Sequence, residues 1–287
     1  MNIQWYPGHM VKAKKEIKEN LKLIDVVIEL LDARIPRSSQ NPDIKEVVGE
    51  KPRIVALNKA DLASEQITKK WINYFRKLGI TAVPVDSITG RGLKEIETAI
   101  RAIAKDKLEK SIKRGRIGRP IRIAIIGIPN VGKSAYINKV AGRSAALTGN
   151  KPGVTRKNQW VKAGQGIELM DTPGVLWPKF DTEEAGVDLA ATGAIRSEIL
   201  DAMELSFKLA EKIKMLYPKN ITDRYKIEDI SDKTGEEIIN LIGIKRGCLV
   251  TGGEINIERA ANLFIDEFRS CKIGRISLEE PENLVGG

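Results

Sequence analysis

Residues 121–134 read IRIAIIGIPNVGKS, and this stretch decides the fold of the chain. Ile121–Ile126 is an apolar, β-branched run that is typical of a buried parallel strand. The next eight residues, Gly127–Ser134, fit the pattern GxxxxGK[ST], which binds phosphate when it joins a strand to a helix. A helical pattern at Lys133–Val140 supplies that context. The stretch therefore predicts a doubly wound α/β domain with a phosphate-binding loop.

The phosphate-binding loop supplies many of the predicted nucleotide contacts. Its glycines let the backbone wrap so that N–H groups face the phosphates, and the N-terminus of the following helix adds partial positive charge. We expect Lys133 to reach the β- and γ-phosphates and the Ser134 hydroxyl to ligate Mg²⁺. The competing interpretation, a chance match in a glycine-rich turn, is disfavoured by the flanking strand and helix. The nucleotide-binding residues predicted here are Asn130, Val131, Gly132, Lys133, Ser134 and Ala135.

Further apolar runs alternate with helical patterns on both sides of this loop. Strands are predicted at Val26–Leu31, Arg53–Leu57 and Thr81–Val85, and a hairpin is predicted from Gln159–Ala163 and Ile167–Met170. Helices are predicted at about Met10–Leu23, Ser64–Leu78 and Leu93–Ile112. Strands that alternate with helices predict a mostly parallel sheet with helices on both faces.

The strand signal stops after Trp177-Pro178. Helical patterns follow near Glu183–Ala194, Glu198–Met215, Thr234–Leu241 and Ile257–Arg269. We therefore predict two domains, an α/β domain at residues 1–177 and a smaller all-α domain at residues 178–287.

A second phosphate element, Asp171-Thr172-Pro173-Gly174, follows the last predicted strand. An aspartate there can hold Mg²⁺ through water, and the Gly174 N–H can bind a γ-phosphate and release it after hydrolysis. Thr155, in the basic segment between the two motifs, is the candidate switch residue for Mg²⁺ and the γ-phosphate. A lone DTPG is usually a turn, and the Thr155 segment could be a flexible polar loop. The predicted metal ligands are Ser134, Thr155 and Asp171.

A base-recognition element, Asn58-Lys59-Ala60-Asp61, follows the strand RIVAL and matches the NKxD guanine signature. The Asp61 carboxylate can accept hydrogen bonds from the guanine ring N–H and the exocyclic amine, and adenine would leave it unpaired at heavy cost. The Lys59 stem can pack on the base, and Asn58 can join this loop to the phosphate loop. Asp86-Ser87-Ile88 fits the loop that places backbone N–H groups near the guanine carbonyl, although Ser-Ala is the usual pair. These elements follow strand ends, where doubly wound sheets bind ligands.

The order of these motifs differs from that in ordinary GTPases, in which the phosphate loop precedes NKxD, because here NKAD and Ser87 come before the phosphate loop. The same sheet forms if the chain is cut after DTPG and the old ends are joined, here through the basic segment 100–122. Circular permutation is tolerated where chain termini lie close together. The permutation leads DTPG directly into the C-terminal helices, so we expect hydrolysis to move them.

The overall composition fits a partner that is a polyanion. The net charge is +10, and residues 1–177 hold 33 Lys and Arg against 17 Asp and Glu, whereas residues 178–287 hold 15 against 21. A basic excess in one part favours nucleic acid, although a solvated surface is the alternative. The two cysteines form no metal-like spacing, and no apolar run is long enough to span a membrane, which predicts a cytoplasmic protein.

The chain resembles the circularly permuted GTPases and, more closely, the ribosome biogenesis GTPase A family. The matching segments are Trp5-Tyr6-Pro7-Gly8-His9-Met10 with Lys12-Ala13, Leu31-Asp32-Ala33-Arg34-Ile35-Pro36, Ser38-Ser39, Asn41-Pro42, NKAD, GIPNVGKS, PGVT, DTPG and Leu189-Ala190-Ala191-Thr192-Gly193-Ala194-Ile195. The resemblance implies a cytoplasmic GTPase, binding GTP or GDP with Mg²⁺, that helps mature the large ribosomal subunit through contacts with rRNA and ribosomal proteins. It also implies an RNA-contacting helical domain and slow hydrolysis that the ribosomal particle raises. We expect a monomer.

The chain lacks the glutamine that orients water in many GTPases, because Val175 follows Gly174. Three sources of catalysis remain open. A partner could supply an arginine in trans; a K⁺ ion could bind at Asn130, which matches the K⁺-coordinating asparagine of related GTPases; or His9, the only histidine, could orient water. Packing or RNA contact is the alternative for His9. Arg34 is a weaker candidate and favours a structural or RNA-facing role.

Two functional hypotheses follow. The first is a GTP-driven assembly factor for the large ribosomal subunit. The second is a GTP-switched RNA-binding protein that acts on another RNA such as tRNA. A metabolic P-loop enzyme is a third and weaker possibility, because no acceptor-substrate constellation is apparent. Five lysines in residues 12–22, with Trp5 and Tyr6, could contact RNA or form the solvated face of a helix.

Overall fold

The computed structural model describes residues 21–42, 48–113, 115, 118–142, 159–164, 166–172, 182–195 and 201–282. Three predicted site residues, His9, Thr155 and Gly174, lie outside these ranges, as does most of the predicted first helix.

A six-stranded sheet forms the centre of the N-terminal part. Its strands are β1 (Val26–Asp32), β2 (Arg53–Asn58), β3 (Thr81–Pro84), β4 (Ile121–Ile126), β5 (Gln159–Ala163) and β6 (Ile167–Asp171). Their spatial order is β3-β2-β1-β4-β6-β5. Neighbouring strands are parallel except for the antiparallel hairpin of β5 and β6. The predicted mostly parallel sheet and its hairpin are confirmed.

Strand β1 lies in the middle of the sheet, and all seven of its residues are buried. Val26, Ile28 and Leu30 belong to the core on one face, whereas Val27 and Leu31 belong to clusters on the other face. A strand that is apolar on both sides is typical of a parallel sheet covered by helices on both faces. The β1 strand is therefore a buried central strand, and it pairs with β2 and β4, which precede the predicted NKAD and phosphate-loop motifs.

Helices cover both faces of the sheet. They are α1 (Pro36–Ser39), α2 (Glu65–Lys77), α3 (Leu93–Lys113) and α4 (Lys133–Ala141). Helix α2 begins after Ser64, whose hydroxyl accepts a hydrogen bond from the Ile67 N–H, and it packs Trp71 and Phe75 against the sheet. Helix α3 packs Ile96 and other apolar residues on the opposite face.

The C-terminal part is helical, as predicted. Its helices are α5 (Glu183–Ala191), α6 (Ala202–Leu216), α7 (Pro218–Tyr225), α8 (Gly235–Lys245) and α9 (Ile257–Arg269). Helix α5 ends three residues earlier than predicted because Gly193 takes a left-handed conformation. Helix α6 begins only at Ala202, because Asp201 caps it. Helix α7, which starts at Pro218 directly after α6, was not predicted from the sequence. Within the parts of the chain that the structure describes, no helix is both long and apolar enough to cross a membrane.

The segment after α9 returns to the N-terminal part and packs beside the ends of β1 and β2. The Ile276 N–H donates to the Leu62 carbonyl at 3.2 Å, and the Leu278 N–H donates to the Arg34 carbonyl at 2.8 Å. The apolar side chains Ile273, Ile276 and Leu278 of this segment are buried. The helical part is therefore docked on the sheet domain through backbone hydrogen bonds that its composition did not predict.

Candidate nucleotide-binding site

The predicted motifs meet at the carboxyl edge of the sheet. NKAD begins at the end of β2, the Asp86 loop follows β3, the phosphate loop follows β4, and Asp171 ends β6. Strands β1 and β4 are neighbours in the sheet although almost ninety residues separate them in the chain. Strands β2 and β3 extend the sheet on the β1 side, and strands β6 and β5 extend it on the β4 side, so the strand order reverses between β1 and β4. This is the position at which doubly wound sheets bind ligands.

Two glycines of the phosphate loop are required by close approaches of the backbone. A Cβ atom on Gly127 would lie 2.6 Å from the Leu30 carbonyl oxygen, and one on Gly132 would lie 2.3 Å from Nδ2 of Asn58. Gly132 also has a φ of 103°, a conformation that side chains rarely adopt. The loop is therefore packed tightly against the β1 and β2 ends.

Lys133 lies at the start of α4 and is almost completely buried. Its amine donates to the carbonyls of Gly127 at 3.0 Å and Ile128 at 2.9 Å. Burial lowers the Lys133 pKa to about 8, against an opposing attraction from the Asp171 carboxylate. The lysine and the aspartate predicted to serve phosphate and Mg²⁺ are thus close enough to act on each other electrostatically.

Asn58 joins three parts of the site. Its Nδ2 donates to the Val131 carbonyl of the phosphate loop at 2.7 Å. Its Oδ1 accepts hydrogen bonds from the Ser87 hydroxyl at 2.7 Å and the Ser87 N–H at 3.2 Å. The predicted link between NKAD and the phosphate loop is therefore present, and it extends to the loop after β3.

Asp86 organises its own loop. Its carboxylate accepts from the N–H groups of Ile88 and Thr89 and from the Thr89 hydroxyl, at 2.8, 3.2 and 2.5 Å. Burial raises the Asp86 pKa, but these hydrogen bonds outweigh it and leave the pKa below its usual value. The N–H groups of Ile88 and Thr89 thus bind Asp86, and the Ser87 N–H binds Asn58. Because these bonds occupy the Asp86 carboxylate, we expect Asp86 to shape the loop beside the base rather than contact guanine.

Lys59 makes an ion pair that the sequence analysis missed. Its Nζ lies 3.0 Å from Oδ2 of Asp32, the last residue of β1. Arg34 also contacts Asp32, through Nε at 2.9 Å and Nη2 at 2.8 Å. Burial raises the Asp32 pKa, but the charges of Arg34 and Lys59 outweigh it and hold the pKa well below its usual range. A useful signal was available, because the DAR element follows a strand at the same edge as NKAD.

The Arg34 side chain is buried, so the structural interpretation of this residue is the one that its position favours. Its guanidinium also lies 5.4 Å from the ring centroid of Phe268, in α9.

The phosphate loop also contacts the helical part directly. The Asn130 side-chain amide donates to the Gly193 carbonyl, beyond the end of α5, at 2.8 Å. Arg269 of α9 donates to the carbonyls of Ala191 at 2.9 Å and Ala190 at 2.8 Å in the same turn. The predicted K⁺ ligand is therefore also a contact between the two parts of the chain.

Asp171 closes the site on the β6 side and is fully buried, as is Thr172. The Thr172 hydroxyl donates to the Ile125 carbonyl of β4 at 2.6 Å. This bond fixes the beginning of the DTPG element beside the phosphate-loop strand. The remainder of that element, including Gly174, lies outside the described residues.

The fold and the site together define a class of protein. The base-recognition strands β2 and β3 precede the phosphate-loop strand β4 in the chain, yet all of them place their motifs at one edge of one sheet. This arrangement is that of a circularly permuted P-loop GTPase.

Comparisons with known proteins agree with this class. Residues 122–241 match the family model described as "50S ribosome-binding GTPase", which begins at β4 and so leaves NKAD on its N-terminal side. Ribosome biogenesis GTPase A from Bacillus cereus is 46% identical, over 99% of this chain and 96% of that protein. The Thermotoga maritima protein of the same name is 33% identical, over 99% of this chain and 96% of that protein.

Solved structures give the same result. A GDP-bound YlqF structure is similar with a TM-score of 0.67 and 28% identity, over 93% of this chain and 99% of that chain. The GNP-bound YlqF from T. maritima has a TM-score of 0.63 and 30% identity, over 95% of this chain and all of that chain. The chain belongs to the ribosome biogenesis GTPase A family and is a GTPase that binds guanine nucleotides.

Proposed function

We propose that this GTPase is an assembly factor for the large ribosomal subunit that binds rRNA and ribosomal proteins in the cytoplasm. Its support is the full-length similarity to proteins named for ribosome biogenesis, together with the basic excess in residues 1–177. Because residues 178–287 are net acidic, the GTPase part carries much of the rRNA contact in this proposal. A role on tRNA or another RNA is not favoured by the comparisons. The proposed domains are residues 1–177 and 178–287.

The single observation that carries the nucleotide part is the junction at Asn58. One side chain fixes NKAD, the phosphate loop and the Ser87 loop at once, as a site for one guanine nucleotide requires. In this site Asp61 accepts hydrogen bonds from the guanine edge, Lys59 and Ala60 line the base, and Val131, Gly132, Lys133 and Ala135 surround the phosphates.

Mg²⁺ fits the residues at this edge. Ser134 lies in the first turn of α4 beside the phosphate loop, and the buried Asp171 attracts the Lys133 amine across the loop. Ser134 and Thr155 would supply hydroxyl ligands and Asp171 would act through water. The ion would neutralise charge that develops on the phosphates.

The group that assists the attacking water has three candidates. They are an arginine from the ribosomal particle, a K⁺ ion at Asn130, and His9. Only the amide oxygen of Asn130 has the lone pairs that a cation requires, because its amide nitrogen is a donor and binds the Gly193 carbonyl.

The proposed partner is tested by GTP hydrolysis with isolated large subunits, small subunits or tRNA, in K⁺ and in Na⁺. We expect large subunits alone to raise the rate by about 10³-fold or more if an arginine acts in trans. Co-sedimentation of the GTP-bound protein should weaken steeply between low and high salt, because phosphate contacts release counterions. Equal stimulation by tRNA would overturn the ribosomal proposal. A rate that K⁺ and Na⁺ support equally would remove the K⁺ candidate, and an unchanged stimulated rate in His9→Ala would remove His9.

The guanine site is tested separately with Asp61→Asn. An amide in place of the carboxylate offers an N–H to xanthine, which carries a carbonyl where guanine carries its amine, so we expect preference to move from GDP to xanthosine diphosphate. Retained preference for GDP would show that Asp61 does not read the base.

A further inference from the structure

A buried charged cluster lies beneath the NKAD loop. Asp32 accepts hydrogen bonds from Arg34 through both of its oxygens, and Oδ2 is also 3.0 Å from Nζ of Lys59. Asp32 and Arg34 are each only 2% exposed. The backbone fixes their spacing, because Asp32 pairs with Asn58 in the sheet register and the Ala33 N–H donates to the Asn58 carbonyl at 2.8 Å. The Lys59 side chain is thus held in place by Asp32, the last residue of β1.

This arrangement is costly to keep. Removing charges from water costs several kcal/mol for each ion, roughly, before their attraction repays it. Nη1 of Arg34 is buried without a hydrogen-bond acceptor among the described residues, and Lys59 has a left-handed backbone with a φ of 58°. An apolar pair of similar volume would serve packing alone at less cost. Fixing the position of one side chain is a function that a charged cluster performs and an apolar pair does not.

The cluster also contacts the C-terminal helices. The Arg34 guanidinium lies over the Phe268 ring, and the Arg34 carbonyl accepts from the Leu278 N–H. Phe268 is itself buried at the end of α9. The same guanidinium that holds Asp32 is therefore held by an element of the helical part.

We propose that Asp32 is a positioning residue for guanine binding, which holds Lys59 across the base site, and that Arg34 and Phe268 make this hold depend on the docking of α9. The inference rests on the guanine-binding role proposed for NKAD. The consequence of this arrangement is that nucleotide binding is coupled to the position of the C-terminal helices in a second way, which does not involve the DTPG element. A partner that draws α9 away from Arg34 loosens Lys59 and accelerates GDP release.

The test is a double-mutant cycle on GDP affinity and GDP dissociation rate, measured with a fluorescent GDP. We expect Asp32→Asn to weaken GDP binding about tenfold in the parent chain, within the usual range of coupling between sites. In the Lys59→Ala background the same change should have no further effect, because the side chain that Asp32 positions is gone. A purely structural role for Asp32 would weaken binding by the same factor in both backgrounds.

Phe268→Leu provides a second arm if Asp32→Asn does not fold. Losing the aromatic face should speed GDP dissociation about threefold in the parent chain and leave it unchanged in the Lys59→Ala background. Tyr225→Leu is the matched control, since Tyr225 lies under Arg246 at 5.3 Å within the helical part. It should leave GDP dissociation unchanged.

The outcomes separate this inference from the proposed function. A parent chain that does not bind GDP would overturn both. If the parent chain binds GDP, the positioning role alone can still be overturned. This would be the result if Asp32→Asn, and likewise Phe268→Leu, had the same effect in the Lys59→Ala background as in the parent chain. Faster GDP release in Tyr225→Leu would show that general loosening of the helices, not the Arg34 contact, controls the nucleotide.

Discussion

At the scale of single residues, close contacts with neighbouring atoms restrict which residue type can occupy certain positions of the site and of the sheet. Gly132 combines a left-handed φ of 103° with a Cβ direction that points at Asn58. Glu29 is an acid in the middle of a fully buried strand, with Arg53 as its ion-pair partner at 3.0 Å. Both positions allow predictions in which the physical cause is a single contact.

Gly132→Ala should weaken nucleotide binding. The added methyl meets Nδ2 of Asn58 at 2.3 Å and must displace it from the Val131 carbonyl. We expect GDP affinity to fall by more than about tenfold, the value of one lost buried hydrogen bond. Gly142→Ala is the matched control, because Gly142 has a φ of 66° but nothing within 4 Å of its added Cβ. It should cost stability without changing GDP affinity measured by titration calorimetry. Equal affinity losses in the two variants would contradict the Asn58 contact.

Glu29 should make stability depend on pH. Burial raises the Glu29 pKa to about 7 from 4.5, although Arg53 and Gln40 oppose the shift. The raised pKa means that the folded state binds the Glu29 proton more tightly than the unfolded state does. Proton binding at Glu29 therefore stabilises the folded state fully below pH 4.5, and this stabilisation is lost as the pH rises to about 7. Glu29→Gln removes the titration, so its stability relative to the parent should rise across this window by up to about 3 kcal/mol in urea unfolding.

Glu237→Gln controls for the sign of this effect. The backbone N–H of Thr234 and its hydroxyl lower the Glu237 pKa in the capping box of α8. The stabilisation from Glu237 is therefore present above its unfolded pKa and is lost as pH falls. Curves of the same sign for Glu29→Gln and Glu237→Gln would contradict the assigned cause.

At the scale of elements, the short helix α1 depends on a residue far away in the chain. The Glu279 carboxylate accepts from the N–H groups of Arg37 at 2.7 Å and Ser38 at 3.0 Å, and the Ser38 hydroxyl also donates to it. The first turn of α1 contains no acidic residue, so Glu279 supplies the negative charge that its N–H groups favour. The Trp71 indole of α2 donates to the Glu279 carbonyl at 3.1 Å. One residue of the C-terminal segment thus joins two helices of the GTPase part.

Glu279→Gln should therefore destabilise the protein by about 1–2 kcal/mol, the value of charge-assisted hydrogen bonds to backbone N–H groups. Glu280→Gln is the matched control, because Glu280 forms an ion pair with Lys70 in which both side chains are about half exposed. Its effect should stay below about 0.5 kcal/mol. The measurement is urea unfolding at constant pH, and similar losses for the two variants would contradict capping by Glu279.

The sequence predicted most elements but not all of their ends. All six strands of this sheet were located within one residue, because strands have a strong local pattern of apolar, β-branched residues. Helix α7 was missed because it is short and begins at a proline directly after α6, so local periodicity gives it no separate signal. The predicted end of α5 was three residues too late, because Gly193 takes a left-handed conformation there and its carbonyl accepts a hydrogen bond from Asn130.

At the scale of the whole molecule, the permutation places two connections between nucleotide and helices. One follows the chain from Asp171 into α5, and the other crosses space at Asn130–Gly193 and Arg34–Phe268. We propose that the DTPG element senses the γ-phosphate, and we therefore expect the helical part to change position between the GDP-bound and GTP-bound states.

This movement is measurable with paired spin labels at the exposed Lys94→Cys in α3 and Glu236→Cys in α8, in a chain with Cys248 and Cys271 replaced by serine. The distance distribution should shift between GDP and a non-hydrolysable GTP analogue. A label pair within α3, at Lys94→Cys and Lys105→Cys, should give the same distance in both states. Unchanged distances for both pairs would contradict coupling through DTPG.

The sequence by itself determined the class of fold, the permuted order of the motifs and the identity of Asn58, Asp61, Lys133 and Asp171 as candidate site residues. It could do so because these features are local patterns of a few residues next to a strand. Only the tertiary structure decided that Asp32 holds Lys59, that Asn130 bonds to Gly193, and that Glu279 caps α1. The last two contacts join residues 63 and 241 positions apart. The physical reason is that these partners are brought together only when the chain folds and buries them. The residues next to each partner in the sequence therefore give no indication of the other partner.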